Sequence, residues 1–69
     1  MPKFVSHDST AVDLDDVRTI EKDNDNDGRN FIIFYFKNTS ETVRFDYGSR
    51  SERDRSYQCI IGLVGAQPV

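Results

Sequence analysis

Apolar residues are concentrated in one uninterrupted run, Phe31-Ile32-Ile33-Phe34-Tyr35-Phe36. Its aromatic and β-branched composition predicts a strand. Phe31, Ile33 and Tyr35 then point one way, and Ile32, Phe34 and Phe36 the other. Leaving three such side chains in water costs about 1.5–3 kcal/mol each. Both sides of the strand are therefore expected to be covered.

On either side of this run the pattern alternates. Glu41-Thr42-Val43-Arg44-Phe45-Asp46-Tyr47 places Val43, Phe45 and Tyr47 on one face. It is expected to pair antiparallel with Phe31–Phe36 across a hairpin loop at Lys37-Asn38-Thr39-Ser40. Ala11–Leu14 and Val17–Ile20 also alternate and predict two half-buried strands, with Asp15-Asp16 as a tight turn or bulge. Lys3-Phe4-Val5 reads as a short edge strand, and Ser6 to Thr10 as a turn. Asp23 to Arg29 is a strong turn signal, because Asn, Asp and Gly tolerate left-handed backbone angles.

After Gly48 the period changes. Tyr57, Ile60, Ile61 and Val64 fall at i, i+3, i+4 and i+7, which predicts a helix with one apolar face. Ser49 with Glu52 three residues later forms a capping-box pattern that starts the helix near Arg50. Ser51 with Asp54 is the alternative cap. Gly65 suits the position just past the end, and Pro68 opposes continuation. Residues 65–69 are expected to fray. The sum is an α+β domain over 1–69: an antiparallel β-meander of four to five strands packed against one C-terminal α-helix.

Three segments carry a resemblance: Val12-Asp13-Leu14-Asp15-Asp16-Val17, then Ile20-Glu21, then Ser51-Glu52-Arg53-Asp54 with Tyr57 and Ile60. On these the chain resembles small bacterial and phage proteins built as a strand meander followed by a helix. The resemblance implies that fold type; it implies no activity and assigns no functional residue.

Sixty-nine residues hold one small core, and such domains usually need a staple. The single cysteine, Cys59, excludes an internal disulfide. One cysteine and one histidine are too few for a zinc site of the usual kind. Self-association is the staple that remains simplest. One helix covers only one face of a sheet, so the other needs either curling of the sheet, with the N-terminal strand covering what remains, or a partner chain. On the second reading Ile32, Phe34 and Phe36 are assigned to a self-association face. Cys59 and Leu63 join them, since they lie opposite the Tyr57–Val64 stripe and make the helix end apolar nearly all round. A two-fold homodimer is the expected arrangement.

Charge is unevenly spread within a net −3. Between Asp8 and Asp27 eight acidic residues oppose Arg18 and Lys22; from Gly28 onward six basic residues face four acidic ones. The acidic 8–27 region is a candidate surface for a protein partner. Arg44, Arg50, Arg53 and Arg55, near Tyr47 and Tyr57, are candidate partner-binding residues. An acidic chain lacks the basic footprint of nucleic-acid modules, so nucleic acid is not the expected partner.

Asp23-Asn24-Asp25-Asn26-Asp27-Gly28 matches the first half of an EF-hand loop, in which Asp23, Asp25 and Asp27 would supply oxygens to calcium. The twelfth position, where a bidentate glutamate belongs, is Phe34, and the flanks read as strands. Weak calcium binding or a plain polar turn are the two readings. His7 lies in a polar turn and reads as a surface residue. Cys59 has no base near it on the helix and reads as packed. With no nucleotide fingerprint either, the chain is not expected to be an enzyme. The lone thiol fits a reducing compartment, and no apolar run is long enough to span a bilayer, so a cytoplasmic location is expected. The functional expectation is a non-catalytic, self-associating binding or regulatory module. The alternative is a small effector or adaptor that contacts a partner through the acidic region.

Overall fold

A computed structural model describes residues 3–67. Its order is β1 (Phe4–His7), β2 (Thr10–Asp13), a 3-10 turn (Leu14–Asp16), β3 (Val17–Asn24), β4 (Asn30–Phe36), β5 (Thr42–Tyr47) and α1 (Arg50–Val64). This is the expected α+β architecture of antiparallel strands and one C-terminal helix. The five strands do not form a single meander, however. β1 and β2 make a two-stranded hairpin, and β3, β4 and β5 a separate three-stranded sheet. The break falls at Asp15-Asp16, where a tight turn between paired strands was expected. There the carboxylate of Asp13 accepts the amide of Asp15 at 3.0 Å and caps the 3-10 turn.

Three turns between strands depend on left-handed backbone, at Asp8 (φ 56°) between β1 and β2, at Gly28 (φ 82°) between β3 and β4 and at Asn38 (φ 62°) between β4 and β5. The β1–β2 turn is shorter than Ser6–Thr10, because Ser6, His7 and Thr10 are all strand. β4 is the central strand, antiparallel to both neighbours. The three strands form rows across the sheet: Glu21, Ile33 and Arg44; Ile20, Phe34 and Val43; Lys22, Ile32 and Phe45.

The register decides which face is inside. Val12, Leu14, Ile32, Phe34, Phe45 and Ile60 form the buried core, with Val5, Val17, Ile20, Phe36, Val43, Tyr47 and Tyr57 packed on it. The rings of Phe34 and Phe45 meet edge to face at 4.9 Å. The helix stripe lies on this face, and so does the inward side of the β1–β2 hairpin. Ile32 and Phe34 are 0% exposed within one protomer. Their assignment to a self-association face is therefore corrected: α1 and the hairpin already cover them, leaving no surface for a second chain. The opposite face of β4, with Phe31, Ile33 and Tyr35, is the outer one, and these three side chains are half-buried.

The helix ends follow the sequence. The hydroxyl of Ser49 accepts the amide of Glu52 at 3.2 Å, so Ser49 rather than Ser51 is the cap. Gly65 adopts φ 73° and donates to the carbonyl of Gly62, and Ala66 donates to Ile61, which closes the last turn. Residues 68 and 69 of the expected frayed tail lie outside the described residues.

Candidate interaction surfaces

Arg44 dominates the outer face of the three-stranded sheet. Its guanidinium lies over the ring of Phe31, 4.0 Å from the centroid. Nε donates to Asp46 at 2.7 Å and Nη2 to Asp25 at 3.2 Å. One long side chain thus crosses from β5 to the β3–β4 turn and roofs Phe31. The Asp46 and Asp25 carboxylates hold the Arg44 pKa above its ordinary value. Beyond Arg44 the stripe continues through Ile33 and Tyr35. On the β3 side it is bordered by Thr19, Glu21 and Asp23, and on the β5 side by Thr42, Arg44 and Asp46.

The DNDNDG turn is closed by its own carboxylate. Asp25 Oδ1 accepts the amides of Asp27 and Arg29, each at 3.0 Å. The Arg29 amide is the largest cause of a lowered Asp25 pKa, and the Arg44 guanidinium adds to it. Asp23 turns to the amide of Asn24 at 2.8 Å. Among the described residues no three His, Cys, Asp or Glu side chains are grouped to hold a metal ion. Asp23, Asp25 and Asp27 are thus not brought together as a calcium cluster. Asp25 serves the turn and Arg44 instead, which is the chemistry of a satisfied Asx turn.

The four candidate arginines do not gather either. Arg53 is 6% exposed. It donates Nε and Nη2 to Asp54 at 3.1 and 2.9 Å and Nη1 to the carbonyl of Asp23 at 2.9 Å. Arg44 is spent on the outer face. Arg50 and Arg55 remain exposed on the helix. Buried Arg53 is a helix-to-sheet tether, and its place in a partner-binding cluster is corrected accordingly. Its neighbour Lys22 approaches Asp54 at 3.5 Å and lies 5.0 Å from the Tyr57 centroid.

A third surface is a cleft of about 230 Å³ between β1, β5 and α1, lined by His7, Tyr47, Ser56, Cys59, Ile60 and Leu63 among others. His7 is not the free surface residue its turn suggested. Its ring stacks 4.3 Å from Tyr47 and 5.5 Å from Phe45, and Nε2 donates to the carbonyl of Asp46 at 2.6 Å. That bond joins the hairpin to the edge of β5. Burial pushes the Tyr47 hydroxyl above its usual pKa, against an opposing hydrogen bond from Ser56. Cys59, expected to be packed, is exposed.

The fourth surface is the helix end. Leu63 is 46% and Val64 39% exposed, and Phe4 is 58% exposed on β1. The Lys3 ammonium donates to the carbonyl of Leu63 at 2.8 Å, so the start of β1 adjoins the end of α1. Of the expected self-association residues, Cys59 and Leu63 lie at the surface, Phe36 is half-buried against the core, and Ile32 and Phe34 are inside.

No protein-family model, no curated protein and no solved structure matches the chain. The resemblance to strand-meander-plus-helix proteins of bacteria and phages thus gains no support from these comparisons. Among the described residues, no helix is long and apolar enough to cross a membrane.

Proposed function

We propose that the chain is a non-catalytic binding module that self-associates through the exposed face of α1, around Cys59 and Leu63. One observation carries this reading: among the described residues, the large apolar side chains that are exposed, Phe4, Leu63 and Val64, belong to the adjoining start of β1 and end of α1. From Tyr57 to Ala66 the chain carries no charged side chain. The Lys3 ammonium, held on the Leu63 carbonyl, and Arg55, one turn before Cys59, border this stretch. Two copies set against each other therefore bring like charges only at its rim, which an isologous two-fold contact tolerates. Cys59 and Leu63 are four residues apart and share one side of the helix. Gly62 lies between them, and a Cβ built on it would meet nothing within 4 Å, so a second helix has room to approach. The lone thiol is compatible with a reducing, cytoplasmic setting.

Sedimentation equilibrium of the wild-type chain and of Leu63→Glu is the test. A concentration-dependent dimer is expected for the wild type and a monomer for Leu63→Glu, with the same melting temperature at low concentration. Oxidation is expected to link Cys59 to its symmetry mate. A wild-type chain that stays monomeric into the millimolar range removes the proposal.

A further inference from the structure

We infer that the outer face of the β3–β4–β5 sheet receives an extended basic protein segment, apolar side chains on Ile33 and Tyr35, lysines or arginines reaching Glu21 and Asp23. The inference concerns a surface separate from the helix end and does not rest on self-association. It starts from the rows of the sheet. Phe31, Ile33 and Tyr35 form the middle of a face that contributes nothing to the core. Phe31 is already roofed by Arg44. The strip that Arg44 leaves uncovered is Ile33 and Tyr35, both half-buried between their strand neighbours.

The sign of the surroundings selects the partner. Glu21 and Asp23 border the strip on β3, Asp46 borders it on β5, and Asp25 closes the end. Four carboxylates against the guanidinium groups of Arg44 and of Arg29, which pairs with Asp25 across the turn, leave a formal net charge of −2 on this face. Arg44 is neutralised by Asp46 and Asp25 at 2.7 and 3.2 Å. Among the described residues no ion pair engages Glu21 or Asp23, and both are exposed. A phosphate backbone or an anionic lipid surface is repelled by such a rim. A segment alternating apolar and basic residues is attracted, because lysine stems lie along apolar surface while their ammonium groups reach sideways.

Size argues the same way. Three strands and three rows span roughly 10 by 14 Å between Cα positions. That is the footprint of one extended segment, well short of the roughly 800 Å² per partner of a stable dimer. A second copy laid face to face would also set eight carboxylates against four guanidinium groups.

The experiment is an amide NMR titration of the intact chain with a short synthetic peptide alternating lysine and valine. Its glutamate–valine counterpart is the control. Saturable shifts are expected at Glu21, Ile33 and Arg44, shrinking as salt is raised. The lysine peptide is expected to bind about fivefold more weakly to Glu21→Gln/Asp23→Asn, as the loss of two exposed charge pairs implies. Ile33→Thr, which keeps the charges, is expected to weaken it as well. Shifts confined to the acidic β1–β3 connections, equal binding of the glutamate peptide, or unchanged affinity in a folded variant would overturn the inference. So would the absence of any saturable shift at millimolar peptide. Glu21, Asp23 and Ile33 lie away from Leu63, so loss of peptide binding with an intact dimer, or the reverse, separates the two proposals.

Discussion

Arg53 Nη1 donates to the backbone carbonyl of Asp23 at 2.9 Å, joining residues thirty apart in the chain. The bond leaves the first turns of α1 and ends on the outer edge of β3. It is charge-assisted and part-buried, and Asp54 holds the same guanidinium from the other side. Replacing Arg53 with Met keeps the stem and removes the donors. The expected cost is about 2 kcal/mol, the range of a hydrogen bond to a charged group. Arg53→Lys is expected to recover only part of it, since an ammonium cannot form the same fork. Urea unfolding of the three proteins gives the comparison; a neutral Arg53→Met would mean that the tether is dispensable.

Ile32 and Phe34 are the most buried large side chains among the described residues. Phe34→Ala is expected to cost about 3–5 kcal/mol and Ile32→Val about 1 kcal/mol. A domain of this length has roughly 3–10 kcal/mol in total, so Phe34→Ala should leave much of the population unfolded. By contrast Ile33→Ala, on the outer face of the same strand, is expected to cost well under half as much. Circular dichroism melts decide it. Equal damage at 33 and 34 would show that the two faces are not inside and outside.

Two serines compete on paper for the helix cap, and Ser49 holds it. Ser49→Ala is expected to cost about 1 kcal/mol, whereas Ser51→Ala, inside the first turn and exposed, should be close to neutral. The difference is readable from thermal midpoints alone. A larger loss at Ser51 would place the cap there.

Acid should destabilise this fold through two named carboxylates. The backbone amide of Arg29, with Arg44, holds the Asp25 pKa below 3.8, and the Arg53 guanidinium does the same for Asp54, helped by Lys22. Both values are depressed in the folded state, so the unfolded chain binds more protons in this window. The stability they contribute is present above about pH 3.8 and is lost as pH falls through the lower folded values. The melting temperature is expected to drop below pH 4, and Asp25→Asn should flatten that drop while lowering stability at pH 7. A wild-type midpoint unchanged between pH 5 and pH 2 would contradict it.

Local rules carried the reading of the elements. Phe31–Phe36 and Thr42–Tyr47 pair as their patterns indicate, because a continuous apolar strand beside an alternating one leaves few alternatives. Ser49 and Gly65 end the helix where backbone geometry demands them. The facing of β4 was read the wrong way round, with Ile32, Phe34 and Phe36 assigned to an outward self-association face, since Phe31, Ile33 and Tyr35 resemble them in bulk and polarity. A signal did exist: Arg44 and Asp46 face the same side as Ile33 and Phe31, so the odd-numbered side had to be the outer one. His7 and Cys59 were misjudged because nothing adjacent in sequence reveals that one meets Tyr47 and the other faces solvent.

What the residues determined by themselves is the set of elements, their order and their ends, since periodicity, capping and turn chemistry act over a few neighbours. Tertiary structure alone decided the split into two sheets and the inward face of β4. It also decided the spending of Arg44, Arg53 and Asp25 on internal bonds. Apart from the turn bonds of Asp25, which reach two and four residues, those outcomes depend on contacts between segments distant in the chain, 19 residues for Asp25 and Arg44 and 30 for Asp23 and Arg53. There burial and charge pairing are settled by shape and position, and composition does not encode either.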